Sequence, residues 1–87
     1  MGHRETRTAA QLRAMVQVRV DALAEVVELT QRRPELVPVV GPVERTWVDK
    51  QGRNWDLRTV THGVGLMGPI RAIVDELRGR YDLAEWT

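Results

Sequence analysis

The sequence predicts an α+β fold: a single small domain, residues 1–87, running long helix, antiparallel hairpin, helix (α-β-β-α). Three observations predict it. Apolar residues recur at helical spacing through the first third, a tight-turn signature separates two strand-like runs in the middle, and a second helical pattern opens on a proline near the end.

The first helix begins at Thr8-Ala9-Ala10-Gln11, which has the form of a capping box. A threonine hydroxyl and a glutamine side chain three residues on can each satisfy the other's free backbone N–H. From there Leu12, Val16, Val20, Leu23 and Val27 form one apolar stripe, and Met15, Val18, Ala22, Val26 and Leu29 form a second beside it. Arg13, Gln17, Asp21, Glu25, Glu28 and Arg32 occupy the rest of the circumference. Val16 to Asp21 also alternates with a period of two, as a strand would, but the surrounding Ala, Leu, Glu and Gln favour a helix. Arg32 and Arg33 suit the negative C-terminal end and Pro34 stops it, so the spacing predicts one helix over 9–33.

Pro34, Pro38 and Pro42 then punctuate a connector over 34–42. Proline lacks a backbone donor, so this segment reads as a linker and at most an edge strand. The hairpin spans 43–60. Asp49-Lys50-Gln51-Gly52 fits a type I turn with Gly52 in the left-handed bulge position. That geometry pairs Asp49 with Arg53, Trp47 with Trp55, and Arg45 with Leu57, and places both tryptophans in the core. A Gly-rich turn over 61–68 leads to the last helix, 69–81. Pro69 opens it, and Ile70, Ile73, Val74, Leu77 and Tyr81 line one face. Residues 82–87 form a tail in which Trp86 is expected to dock on the body.

Composition narrows the function. With 43% hydrophobic and 29% charged residues, the chain has the balance of a folded globular protein. A net charge of +1 is too small for a strong, sequence-independent hold on nucleic acid or an anionic membrane. No apolar run approaches the ~20 residues of a membrane span, and no secretory leader is apparent, so a cytoplasmic protein is expected. Twelve arginines against one lysine point to GC-rich coding of bacterial or phage type. The chain contains neither serine nor cysteine, which removes the commonest nucleophiles, disulfides and thiolate metal ligands.

Residues 63–68, Gly-Val-Gly-Leu-Met-Gly, spell G-x-G-x-x-G between a predicted strand and a helix, the local setting of a dinucleotide site. The wider setting lacks a parallel sheet, an acid some 20 residues on, and a strand in the few residues after Arg80. The glycines therefore read as a hinge. His62 beside them reads as a loop hydrogen-bonding residue, because neither Asp56 nor Asp75 is tied to it by a catalytic motif. Asp49 and Asp56 are interleaved with Lys50 and Arg53, which favours ion pairing over metal binding. The sequence thus points to no catalytic residue, no metal and no cofactor.

The apolar face over 9–33 is wider than the roughly 100° stripe of an ordinary surface helix. A non-enzymatic interaction or regulatory module is the leading expectation. It would act as a homodimer or by docking another protein, with no membrane and no small-molecule substrate. Met15, Val18, Ala22, Val26 and Leu29 would carry the contact, and a charge at Val18 or Val26 is expected to break it while the monomer stays folded. The alternative is a small nucleic-acid-binding accessory protein. It would use Arg45, Arg53 and Arg58 around the hairpin tryptophans, with His3, Arg4 and Arg7 as a basic N-terminal arm.

Overall fold

The computed structural model describes residues 4–84 as a mixed α+β chain, and its order is longer than α-β-β-α. A short strand β1 (Glu5–Arg7) leads into α1 (Ala9–Asp21) and α2 (Ala24–Arg32). A 3-10 turn at Pro34–Leu36 follows, then β2 (Val39–Val40), β3 (Glu44–Arg45), β4 (Trp55–Asp56) and β5 (Val60–Thr61). The last elements among the described residues are α3 (Met67–Arg80) and β6 (Tyr81–Leu83).

The capping box forms as its residues dictate. The Thr8 hydroxyl accepts from the Gln11 amide at 3.1 Å, and the Gln11 side chain accepts from the Thr8 amide at 2.9 Å. The single helix expected over 9–33, however, is two. Ala22 is still helical, but Leu23 turns extended with ψ 137°, and α2 begins after it. At the break, Leu23 keeps both of its backbone groups paired. The Leu23 amide donates to the Val20 carbonyl at 3.0 Å, and its carbonyl accepts from Val26 and Val27, both at 2.9 Å. The change of phase explains the two apolar stripes. α1 buries the first through Leu12, Val16 and Val20, whereas α2 buries the second through Val26 and partly Leu29. Val27, which would have continued the first stripe, is left half-exposed. The apparently wide face is two narrow faces joined at a bend.

The hairpin is longer than 43–60 and reaches back into the proline-punctuated connector. Val39 pairs with Thr61, Val40 with Val60, Glu44 with Asp56 and Arg45 with Trp55, all in one antiparallel register. Gly41 fixes this register, because a Cβ there would lie 2.9 Å from both the Thr59 Cβ and the Thr59 carbonyl. The turn is the expected one. The Gly52 amide donates to the Asp49 carbonyl at 3.0 Å, Gly52 has φ +80°, and the Asp49 amide donates to the Arg53 carbonyl at 3.1 Å. Between the turn and the body the register slips by two residues, because the next bond joins the Thr46 amide to the Asn54 carbonyl. Trp47 and Val48 are the surplus. They bulge out, so the expected pairings of Trp47 with Trp55 and of Arg45 with Leu57 do not form. Trp55 is completely buried, as expected, but Trp47 is 96% exposed and is no part of the core.

α3 starts two residues earlier than 69–81 and ends one earlier. Pro69 falls at its third position, where the missing N–H has no intrahelical partner to lose. Ile70, Ile73, Val74 and Leu77 are buried as their spacing requires. Tyr81 leaves the helix and begins β6, which pairs in parallel with β1 through Glu5–Tyr81, Thr6–Asp82 and Arg7–Leu83. Residues 5–7 near the N-terminus and residues 82–83 of the expected tail are therefore part of the fold. The other edge of β6 is sealed by side chains. Asn54 donates to the Leu83 carbonyl at 3.0 Å and accepts from its amide at 2.9 Å, much as a neighbouring strand would, and the Trp55 indole donates to the Tyr81 carbonyl at 2.8 Å.

Candidate interaction surface

The five residues expected to meet a partner separate in space. Val26 is completely buried between the elements of the core, so it belongs to the monomer and not to a contact. A charge there would unfold the chain, contrary to expectation. Leu29 packs partly on the same core and Ala22 lies exposed at the bend. Met15 and Val18 remain on the outer flank of α1, Met15 half-buried and Val18 66% exposed.

These two residues form one wall of a groove whose other wall is α3. Ala14, Met15, Val18, Arg19, Leu77, Arg80 and Tyr81 line it, enclosing about 360 Å³. The groove exists because α1 and α3 both turn their buried stripes inward, and their next residues round the helix circumference diverge above the seam. Its rim is charged. Arg19 of α1 grips Glu76 of α3 in a two-pronged pair, 2.7 and 3.1 Å, tying the walls together. Hydrogen bonding to Arg19 holds the Glu76 carboxyl below its ordinary range. Arg80 stands 3.9 Å from the same carboxylate and is 65% exposed. Arg7 lies over the Tyr81 ring at 5.0 Å.

The arginines offered as nucleic-acid contacts are mostly engaged within the fold. Arg4 donates to the Gly79 carbonyl at 3.1 Å and the Gly52 carbonyl at 3.0 Å, and also bonds the Gln51 carbonyl. It is a latch joining β1 to the hairpin tip and the end of α3, not part of a free arm. Arg7 pairs with Glu5 at 2.5 Å, Arg53 with Asp49 at 2.7 Å, and Arg58 with Glu44 at 3.5 Å, while Arg45 reaches the Ala84 carbonyl at 3.0 Å. His3 and Trp86 lie outside the described residues.

Asp49, Asp56 and Asp75 are held with Arg71 and Arg78 in a clamp between hairpin and α3. Arg78, only 11% exposed, donates to the Trp55 carbonyl at 2.6 Å and faces Asp49, Asp56 and Asp75. Arg71 binds Asp56 at 2.7 Å and Asp75 at 2.8 Å. Burial raises the Asp56 pKa, but the Arg71 hydrogen bond, the Leu57 amide and the two guanidiniums outweigh it and leave it below the ordinary range. The Arg53 amide, then its guanidinium and the Gln51 amide, hold Asp49 down at about 2 against a smaller opposing effect of burial. Such groups are poor general bases near neutral pH. The two acids considered for His62 are both held by Arg71, and His62 itself is exposed with φ 58° at the head of the glycine turn. Among the described residues no three His, Cys, Asp or Glu side chains converge on a metal position, and no helix is long and apolar enough to cross a membrane.

Contrary to the expectation that no strand follows Arg80, β6 does follow α3. It pairs with β1, while β5 before the helix pairs antiparallel with β2, so the two strands flanking α3 share no sheet. The space opened by Gly63 is already occupied: a Cβ there would lie 2.8 Å from the Met67 sulfur and 3.0 Å from Val60. Gly65, at φ +84°, makes the turn. The glycines let strand meet helix.

Sequence reasoning missed the protruding Trp47 and the groove. The bulge leaves no trace in the alternation, because a two-residue slip keeps every side chain on its original face. The chain matches no protein-family model, and no curated protein and no solved structure matches it.

Proposed function

We propose that this chain is a non-enzymatic protein-interaction module that docks a partner in the groove between α1 and α3. The observation that carries the reading is Val18, two-thirds exposed beside Met15, Leu77 and Tyr81. An apolar groove with a charged rim has the anatomy of a protein interface, in which a desolvated centre is ringed by polar groups. The occupant is either a second copy or another protein. Sedimentation velocity on the full chain, wild type beside Val18→Asp, tests the reading. Wild type sediments as a concentration-dependent dimer, or as a complex with its partner. Val18→Asp sediments as a folded monomer with an unchanged far-ultraviolet spectrum. A Val18→Asp chain that associates as wild type does removes the groove from the contact.

Trp47 favours a second reading, nucleic-acid binding at the hairpin. An almost fully exposed indole on a bulge beside the exposed Arg45 and Lys50 could stack on an unpaired base. Asp49 next to it and the engagement of Arg4, Arg7, Arg53 and Arg58 weigh against it. Titration with single-stranded DNA decides: binding that weakens with salt and disappears in Trp47→Ala supports this reading, and no binding at low salt ends it.

A further inference from the structure

We propose that the occupant of the α1–α3 groove is an acidic amphipathic helix of a different protein. The proposal rests on the interaction reading above and names the partner's chemistry. Two facing helices form the walls and their apolar side chains the lining, which is the setting for a helix laid in a groove with anchors at i, i+3 or i+4, and i+7.

Charge selects between occupants. Glu76 is the acidic side chain that bridges the groove walls, and both its oxygens are taken by Arg19 at 2.7 and 3.1 Å. Arg80, 3.9 Å from the oxygen nearest to it, shares that one carboxylate from an exposed position. Two guanidiniums thus stand at the groove against a single committed acid. Behind Tyr81, Arg7 has its own acid in Glu5 and adds no surplus.

In a two-fold dimer built on this face, each surface would meet its own image. The basic surplus would then confront itself, and like charges across an interface oppose association. A partner helix carrying apolar residues on one side and a carboxylate at the border meets Arg80 instead and completes the unfinished pair.

Fluorescence anisotropy on the full-length protein tests this with a labelled amphipathic peptide of roughly 18 residues, about five helical turns. The peptide carries leucine at i, i+4, i+7 and i+11 and glutamate along the border. The control peptide has lysine for every glutamate. The glutamate peptide is expected to bind at least about tenfold tighter, a difference worth ~1.4 kcal/mol. Arg80→Glu should shrink or invert that preference, Arg80→Gln should weaken it, and Val18→Asn should abolish binding of both peptides. Equal affinity for the two peptides, or no binding of either, overturns the proposal. Sedimentation separates its failure from that of the interaction reading. If neither peptide binds, yet wild type dimerises and Val18→Asp does not, the groove is an interface whose occupant is a second copy.

Discussion

Val18 and Val26 are eight positions apart in what reads as one stripe, and the fold assigns them opposite duties. Truncating each to alanine separates those duties. Val26 is completely buried among core side chains, so Val26→Ala removes about two methylene equivalents at ~0.8 kcal/mol each and leaves an incompletely filled space. The total is about 2–3 kcal/mol. For a chain of this length that lowers the melting temperature by roughly 10–20 °C. Val18 is 66% exposed, and alanine is the better helix former by about 0.5 kcal/mol, so Val18→Ala should leave stability unchanged or slightly raised. Urea denaturation followed by far-ultraviolet circular dichroism reads both. Midpoints that do not change with protein concentration exclude self-association from the apparent stability. The same slope with a shifted midpoint for Val26→Ala, and superimposable curves for Val18→Ala and wild type, are expected. Equal losses for the two variants would mean that the helix is unbroken at Leu23 or that Val18 is core, and the reasoning would fail.

Other expectations follow from single contacts. Asp49 has a pKa of about 2 in the folded chain, below its unfolded value, so its contribution is complete above the ordinary carboxylate range and is lost as the pH falls toward 2. Asp49→Asn should therefore flatten the fall in urea midpoint between about pH 4 and pH 2, and an unaltered slope would contradict the assignment. Arg4→Ala should release β1, costing about 1 kcal/mol and speeding amide exchange at residues 5–7 while α3 stays protected. Gly41→Ala should destabilise by about 1–3 kcal/mol, because its new methyl meets the Thr59 backbone. Gly79→Ala lies in a helix with open space around it and should stabilise by about 0.5–1 kcal/mol. Thermal melts distinguish the last two by sign.

What was legible in the sequence was local. Thr8 and Gln11 specify a cap by themselves, Asp49 and Gly52 specify a turn, and Ile70 to Leu77 specify which side of α3 is buried. In each case the decisive atoms lie within a few residues of one another. What was hidden depends on distant partners. No glycine or proline marks the bend at Ala22–Leu23. The extended Leu23 is tolerated because its backbone bonds are remade and because the core takes Val26 in place of Val27. The strands β1 and β6 are three residues each, too short for a periodic signal, and they exist because Arg4 and Asn54 hold them to the hairpin and α3. Of the candidate contact, Met15 and Val18 were legible as excess apolar surface. Leu77, Tyr81 and the shared Glu76 were not, because only the crossing of α1 with α3 brings them beside it. The arginines looked alike in sequence, yet three-dimensional partners make Arg4 a latch, Arg78 a clamp and Arg80 an exposed charge.

The groove can be observed directly by methyl nuclear magnetic resonance. With Met, Val and Leu methyls labelled, the glutamate-bordered helical peptide is titrated into the full chain. The account predicts shifts at Met15, Val18 and Leu77 that saturate together, with the Val26 and Val40 methyls still. Unmoved groove methyls, or shifts centred on Val48 beside Trp47, would contradict it.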